Sequence, residues 1–201
     1  TNSFAGIEIQ GQAANVLIGG SGPGDGNLVS GNWIGILPGT SDVRILGNRM
    51  GTDFSGTRPL PNRFATIYIG NPNPTNVRIG GIAEGEGNLI AYNIGEGVAP
   101  GVMEGSGAIR NLGTQVTIRG NSIYSNGELG IDLGSLKGVT PNDPGDVDFG
   151  PNNLQNFPIL TSVSSDASST TIQGSLNSTA NSTFQLDVYS NAAVDSTGNG
   201  E

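Results

Sequence analysis

The chain has 201 residues, enough for one domain of ordinary size or one domain and a fragment, and a formal net charge of −9. The lack of a basic cluster disfavours nucleic acids and anionic membranes as partners, and no apolar run approaches the roughly 20 residues of a membrane span. The absence of cysteine and histidine excludes disulfides, thiol catalysis and imidazole chemistry, so any reaction must use carboxylates, arginines, Lys137, tyrosines or hydroxyls.

Glycine and proline are abundant, with 34 and 11 residues, yet apolar residues make up 34% of the chain and recur in short regular clusters. We therefore expect a folded, turn-dense protein rather than a disordered one. No sustained 3.6-residue stripe is present, and the apolar residues alternate in twos, as strands with one buried face require. These pairs are Ile7/Ile9, Val16/Ile18, Val43/Ile45, Ile67/Ile69, Val77/Ile79, Val116/Ile118 and Ile131/Leu133. The pattern predicts an all-β chain.

Two internal matches reveal a repeat. Segment 15–32 aligns with 76–93 without a gap, and segment 43–48 aligns with 116–121. Identical residues in the first match include Asn15, Val16, Ile18, Gly19, Gly20, Gly26, Asn27, Leu28 and Asn32. The unit Asn-x-apolar-x-x-Asn/Asp occurs at Asn27 to Asn32, Asn48 to Asp53, Asn88 to Asn93 and Asn121 to Asn126. Such recurrence is typical of a solenoid, and since asparagine tolerates the left-handed backbone of a sharp corner, these eight residues are predicted to be structural corner residues.

Three strand types follow one another in a cycle. The first type occurs at 6–9, 66–69 and 130–133, the second has the form Asn-Val-x-Ile, and the third follows the Gly-Asn corners. Three short strands with a turn at each corner make one triangular coil, and stacked coils make a parallel β-helix with strands about 4.8 Å apart. Ile7, Ile36, Ile67, about Val102, and Ile131 mark successive coils, which predicts four complete coils and the start of a fifth.

Three longer motifs carry a resemblance to a known family. They are "NVRIGGIAEGEGNLIAYN", "MGTDFSGTRPLPN" and "RGNSIYSNGELGIDLGSLKGVTPNDPGDVDFGPNNLQNFPIL". Together they resemble the right-handed parallel β-helix repeat proteins found in large bacterial extracellular and surface proteins, over roughly residues 5–160. The resemblance implies a right-handed β-helix in an extracellular or cell-surface location. It leaves the activity open, because the same scaffold carries polysaccharide lyases, hydrolases and inert adhesin stalks.

The pattern changes toward the C-terminus, which predicts three regions. Residues 1–140 form the parallel β-helix, 141–156 form a linker or terminal loop rich in Asp, Asn and Pro, and 157–201 form additional strands. In the resembling proteins the last region looks like the opening of an immunoglobulin-like β-sandwich. About three strands cannot bury a core, so they dock on the β-helix, pair with another chain, or await a missing remainder. Thr1 already lies in patterned sequence with no visible signal peptide, so we expect a chain processed or cut from a longer one.

The only candidate metal site is an acidic cluster in "NDPGDVD". Asp143, Asp146 and Asp148 could supply oxygen ligands to calcium, a cation that takes several oxygens from a flexible loop. The alternative is a solvated acidic turn, because the spacing departs from the EF-hand pattern. No other cofactor is indicated.

The candidate catalytic residues lie on outward strand positions. Arg44 and Arg78 share the middle position of the second strand type with Leu17 and Thr117, and could therefore lie on neighbouring coils. Glu8, Tyr68 and Asp132 share the equivalent position of the first strand type. β-helix polysaccharide lyases use an arginine near carboxylates, together with calcium, for catalysis. The alternative is an arginine pair that serves solubility and cross-strand pairing.

The sequence favours a non-catalytic, extracellular structural or adhesin-type module, because repeat and corner residues dominate it. Unpaired strand edges at the first and last coils are expected to favour self-association into a fibre or oligomer, or contact with neighbouring domains. One alternative is a polysaccharide lyase or hydrolase that uses Arg44 and Arg78. Another is a carbohydrate-binding module, for which Trp33 and Tyr68 are the plausible exposed rings.

Overall fold

The computed structural model describes residues 4–70, 74–95, 109–111, 113–133 and 138–191. The first coil contains β1 (Ala5–Ile9), β2 (Val16–Gly19) and β3 (Leu28–Val29), and the second contains β4 (Ile34–Pro38), β5 (Val43–Leu46) and β6 (Arg49–Met50). The third coil contains β7 (Ala65–Ile69), β8 (Thr75–Gly80) and β9 (Leu89–Ala91), and the fourth contains β10 (Ile109–Asn111), β11 (Thr114–Arg119) and β12 (Ser122–Tyr124). They are followed by β13 (Ile131–Leu133), a 3-10 helix (Pro151–Leu154), β14 (Ile159–Ser165) and β15 (Thr170–Ser175).

Strands of the same type stack into three parallel sheets, which we name A, B and C. The strand order is β1-β4-β7-β10-β13 in sheet A, β2-β5-β8-β11 in sheet B and β3-β6-β9-β12 in sheet C. Among the described residues, sheet A has five strands and sheets B and C have four each, which agrees with the predicted all-β solenoid of three short strands per coil, four coils and the start of a fifth. Among the described residues, no helix is long and apolar enough to cross a membrane.

The marker of the fourth coil differs from the sequence prediction. Ile109 pairs with Ile67 on one side and with Ile131 on the other, so β10 is the sheet A strand of this coil. The expected marker near Val102 lies outside the described residues. The stretch between β9 and β10 is longer than the corresponding stretch in either earlier coil, and this length displaced the predicted position.

The interior of the coils is filled by apolar side chains from all three sheets. Ile36 and Ile67 come from sheet A, Ile45 from sheet B and Met50 from sheet C, and all four are fully buried. Equivalent residues pair in register from coil to coil. Burial of each side chain of this size stabilises the fold by about 1.5–3 kcal/mol. The alternating valines and isoleucines of the sequence therefore form the continuous core that holds the coils together.

The C-terminal strands have a different environment. β14 and β15 form an antiparallel hairpin, and Ile159, Leu160 and Val163 each expose more than half of their surface. An isolated two-stranded hairpin is marginally stable at best. Farther along the chain, the Arg119 Nε donates to the Asp187 carboxylate over 2.7 Å, and the Gly120 N–H donates to the Tyr189 hydroxyl over 2.9 Å. The segment around Asp187 therefore lies against the last coil of the β-helix.

Candidate functional site

One column of asparagines runs along the corner between sheets B and C. In each rung the backbone N–H and the side-chain Nδ2 of one asparagine donate to the Oδ1 of the asparagine in the next coil. The donor–acceptor distances are 2.8–3.1 Å. The column consists of Asn27, Asn48, Asn88 and Asn121. All but Asn27 are buried, so the column satisfies polar groups that water cannot reach.

A second column of the same design runs along the corner between sheets C and A. Its members are Asn32, Asn62, Asn93 and Asn126, with donor–acceptor distances of 2.9–3.1 Å. The corner residue of the second coil is thus Asn62, and the prediction that placed Asp53 there requires correction. Asp53 lies in an excursion where a bridge joins Thr52 to Pro59, and it accepts a hydrogen bond from the Ser55 hydroxyl over 2.6 Å. The chain returns to the corner only after this excursion.

The amides of the interior rungs are committed to the protein itself. The Asn88 Nδ2 also donates to the Ile45 carbonyl over 2.8 Å, and the Asn62 Nδ2 donates to the Val29 carbonyl over 2.9 Å. Each of these side chains thus binds both its neighbouring rung and the backbone. The columns therefore act as polar supports of the coil corners rather than as ligand sites.

The two arginines lie side by side on neighbouring strands of sheet B. Arg44 pairs with Arg78, and the row continues to Leu17 on one side and Thr117 on the other. The Arg78 Nε donates to the Gly80 carbonyl over 3.0 Å, and its guanidinium forms an ion pair with Glu86. Both contacts occupy the Arg78 guanidinium within the protein. Arg44 is exposed, and none of the described contacts joins it to a carboxylate.

The second predicted row lies on sheet A, away from the two arginines on sheet B. Glu8 is exposed, but Asp132 and Tyr68 are only 2% and 8% exposed, so the row is not an accessible acidic strip. Tyr68 packs edge-on against Phe64 with ring centroids 5.7 Å apart, and Phe64 stacks on Trp33 at 5.8 Å. The expectation that Tyr68 is an exposed ring is therefore wrong, and one face of Trp33 is taken by Phe64. The structure therefore places Arg44 beside Arg78 on sheet B, but it keeps Glu8 and Asp132 apart from them on sheet A.

The acidic cluster does come together. One carboxylate oxygen from each of Asp143, Asp146 and Asp148 lies within 4.8 Å of the others. The Val147 N–H donates to one oxygen of Asp143 over 3.1 Å, and the Asn156 N–H donates to Asp146 over 2.9 Å. In contrast, the Oδ1 atoms of Asp143 and Asp148 are buried and have no hydrogen-bond partner among the described residues. A buried carboxylate oxygen without a partner is costly unless a cation or a proton compensates it.

The electrostatics of the cluster also favour a bound cation or proton. Burial, and then the negative charges of Asp143 and Asp146, raise the pKa of Asp148 above its usual value. A divalent cation bound between the three carboxylates would offset this repulsion. Three carboxylates on one loop are the hard oxygen ligands that calcium prefers. The cluster is therefore the part of the described chain best suited to hold a metal.

Asn156 organises the acidic loop, and sequence analysis missed it. Its side chain is 3% exposed, accepts the Asp143 N–H over 3.0 Å, and donates to the carbonyls of Asp143 and Asn177 over 2.7 and 2.8 Å. The Ser178 hydroxyl also donates to Asp146. The loop is thus tied to the residues that follow β15. Asn156 lies in an Asn-rich stretch, and nothing in its spacing distinguishes it from its neighbours.

An open groove of about 630 Å³ lies between the loop that follows β8 and the segment near Asp187. Glycines and apolar side chains line much of it, including Gly81, Ile82 and Leu186. Its ionisable lining residues are Asp187, which is paired with Arg119, and Tyr189, whose hydroxyl accepts the Gly120 N–H. The groove therefore lacks the carboxylate pair that glycoside hydrolysis requires.

Comparisons with known proteins add no likeness. No protein-family model matches the chain, nor does any curated protein or any solved structure.

Proposed function

We propose that this chain is a non-catalytic structural module of the adhesin type, at work outside the cell or on a bacterial cell surface. The supporting observation is that two polar columns and one apolar core run continuously through the coils. A rigid rod with committed corner residues suits a spacer or stalk. The resemblance of the sequence to bacterial β-helix repeat proteins supports the location, and also the opening of an immunoglobulin-like sandwich in residues 157–201.

Polysaccharide degradation is the weaker proposal. A lyase of this architecture needs a basic group and carboxylates around one sugar, whereas Arg44 and Arg78 lie on sheet B and Asp132 is buried on sheet A. Sugar binding through the two predicted rings is also disfavoured, because Tyr68 is buried and Phe64 covers one face of Trp33.

The non-catalytic proposal predicts that the chain does not degrade acidic glycans. We expect no unsaturated uronide, measured by ultraviolet absorbance, when the protein is incubated with a panel of polyuronates and sulfated glycans in calcium-containing buffer. We also expect Arg44→Ala and Arg78→Ala to behave like the parent protein. Turnover by the parent chain that either substitution abolishes would show that the arginine row is an active site, and would overturn the proposal.

Calcium binding at the acidic loop is a second candidate function. The two buried oxygens of Asp143 and Asp148, which have no partner in the described part of the chain, favour it over a solvated acidic turn. The loop is linked to Asn177, beyond β15, so a cation held there would brace the C-terminal region against the coils. Exposed or partly exposed extracellular sites of this kind bind calcium with Kd values of about 10⁻⁴–10⁻³ M.

We expect millimolar calcium to raise the melting temperature by several degrees, because a ligand that binds only the folded state stabilises it by mass action. Asp148→Asn should abolish this shift. It should leave the metal-free protein as stable as before or slightly more stable, because one of three mutually repelling charges is removed. Glu84→Gln is a matched control, since it removes an exposed charge elsewhere and should keep the shift. Equal shifts in both variants, or none in the parent, would argue against a calcium site.

A further inference from the structure

The end of the fourth coil is closed by a turn that imitates a strand. The Asn152 Oδ1 accepts the Val116 N–H over 2.9 Å, and the Asn152 Nδ2 donates to the Val116 carbonyl over 2.7 Å. The Asn152 backbone N–H also donates to the Gly113 carbonyl over 3.1 Å. One side-chain amide thus satisfies the outer edge of β11 at Val116, as the peptide groups of a fifth sheet B strand would.

The residues around this turn also resemble the start of a further coil. β13 occupies the fifth position of sheet A, where it pairs with β10. Its sequence at 130–133, Gly-Ile-Asp-Leu, resembles the Gly-Ile-Glu-Ile of β1 at 6–9. On sheets A and B, residues 131–133 and 138–156 therefore fill the positions that a copy of the first coil would occupy. We call these residues the terminal cap.

The turn of the terminal cap is held in an unfavourable backbone conformation. Asn152, Asn153 and Leu154 have φ values of 47°, 56° and 49°, so three consecutive residues other than glycine lie in the left-handed region. Asparagine tolerates this region, but leucine does not. The turn therefore depends on its contacts with β11, and a competitor for those contacts would also relieve the backbone.

The best competitor for the edge of β11 is found in the chain itself. β8 pairs with β5 through the sequences Asn-Val-Arg-Ile-Gly and Val-Arg-Ile-Leu-Gly-Asn. β2 repeats the first of these as Asn-Val-Leu-Ile-Gly, and β11 repeats the second as Val-Thr-Ile-Arg-Gly-Asn. A junction of β11 with the β2 of a second copy would reproduce a strand pair that the protein already forms. The same junction would set Asn121 against the Asn27 of that copy, as Asn48 is set against Asn88.

We infer that the terminal cap is a displaceable plug that limits end-to-end association, and that its competitor is the first coil of a second copy of this chain. The inference rests on the proposed structural role, because it names the partner and the regulation of that assembly. Displacement exchanges a strained turn and one amide for a full strand pair and continued asparagine columns. The cap therefore sets whether the chain remains single or stacks into rods.

The test uses Asn152→Ala, with Asn153→Gly as its matched control. Asn152→Ala removes both side-chain bonds to Val116, whereas Asn153 makes no described side-chain bond and glycine accepts its left-handed φ. We expect Asn152→Ala to speed hydrogen exchange at the Val116 amide at least tenfold. It should also shift the mass measured by light scattering to oligomers, seen as rods by electron microscopy. The control should match the parent in both measurements.

A further substitution identifies the competing surface. The Val16 N–H donates to the Asp42 carbonyl, and since alternate peptide groups of a strand point to opposite sides, the Leu17 N–H points away from β5. In the described part of the chain β2 is the edge strand of sheet B, a position where proline is tolerated, and Leu17→Pro removes this outward-pointing donor. Combined with Asn152→Ala, it should restore the monomer while the Val116 amide stays exposed to exchange.

Each alternative result bears on one claim. Fast exchange at Val116 without association at any concentration would overturn the cap as a plug. Association that Leu17→Pro does not reduce, but Val163→Lys on the exposed hairpin does, would overturn the first coil as the partner. Failure of the structural role would be detected separately, as glycan turnover in the absorbance assay, because that assay does not depend on oligomeric state.

Discussion

Asn88→Ala is expected to lower the free energy of unfolding by about 3–5 kcal/mol, because it leaves several buried polar groups without partners at about 1–3 kcal/mol each. The Asn88 Oδ1 accepts both the N–H and the Nδ2 of Asn48, and its Nδ2 donates to Ile45 and Asn121. Asn88 is 1% exposed, so water cannot replace these bonds without opening the corner. The destabilisation should also extend to the neighbouring coils, because each asparagine of the column positions the acceptor oxygen of the next.

Asn27→Ala is the matched control at the end of the same column. Asn27 is exposed and donates to the Asn48 Oδ1 through its backbone and its side chain, so alanine removes only one of the two bonds. We expect a cost of about 0.5–1.5 kcal/mol. Urea titrations followed by circular dichroism would give both values. Similar losses at the two positions would contradict the view that the column works as a connected, buried network.

The strands and most corner residues could be predicted from the sequence because the repeat is local. Each coil has two apolar residues separated by one in its strands and an asparagine at the B–C and C–A corners, so the signal lies within a few neighbouring residues. Asp53 was predicted as a corner residue because it lies as far from Asn48 as Asn32 lies from Asn27. In this coil, however, the chain makes an excursion before the C–A corner, which it reaches only at Asn62. A better signal was present at Asn62, which follows a Pro-Leu-Pro stretch and precedes the first strand of the next coil.

Whether a contact at a candidate site could be predicted depends on how far apart its residues lie in the sequence. The carboxylates of Asp143, Asp146 and Asp148 are close in the chain, so their meeting could be predicted from spacing alone. The contact of Arg119 with Asp187, 68 residues apart, and that of Val116 with Asn152, 36 residues apart, have no periodic signal. The ion pair that occupies Arg78 depends on the path of the loop to Glu86. Such contacts arise from how loops return to the coils, which no strand pattern encodes.

The corner between sheets B and C also carries a severe steric constraint, and this constraint explains why glycine precedes asparagine there. Gly47 has a φ of 66°, in the left-handed region that disfavours side chains. A Cβ on Gly47 would lie 2.1 Å from the Gly20 carbonyl oxygen and 2.9 Å from that of Gly85. These oxygens belong to the coils on either side, so neither can move without separating the stack.

Gly47→Ala is therefore expected to cost about 2–5 kcal/mol, the sum of left-handed strain and overpacking against backbone. Gly24→Ala isolates the first contribution, because Gly24 has a φ of 89° and open space where a Cβ would lie, so only about 1–2 kcal/mol should be lost. Urea unfolding of the two variants measures the difference. The Gly47 N–H donates to the Glu86 backbone carbonyl over 3.1 Å, so we also expect Gly47→Ala to speed hydrogen exchange of the amide at position 47. Equal destabilisation by the two substitutions would mean that the coils can separate at this corner, which a rigid spacer could not tolerate.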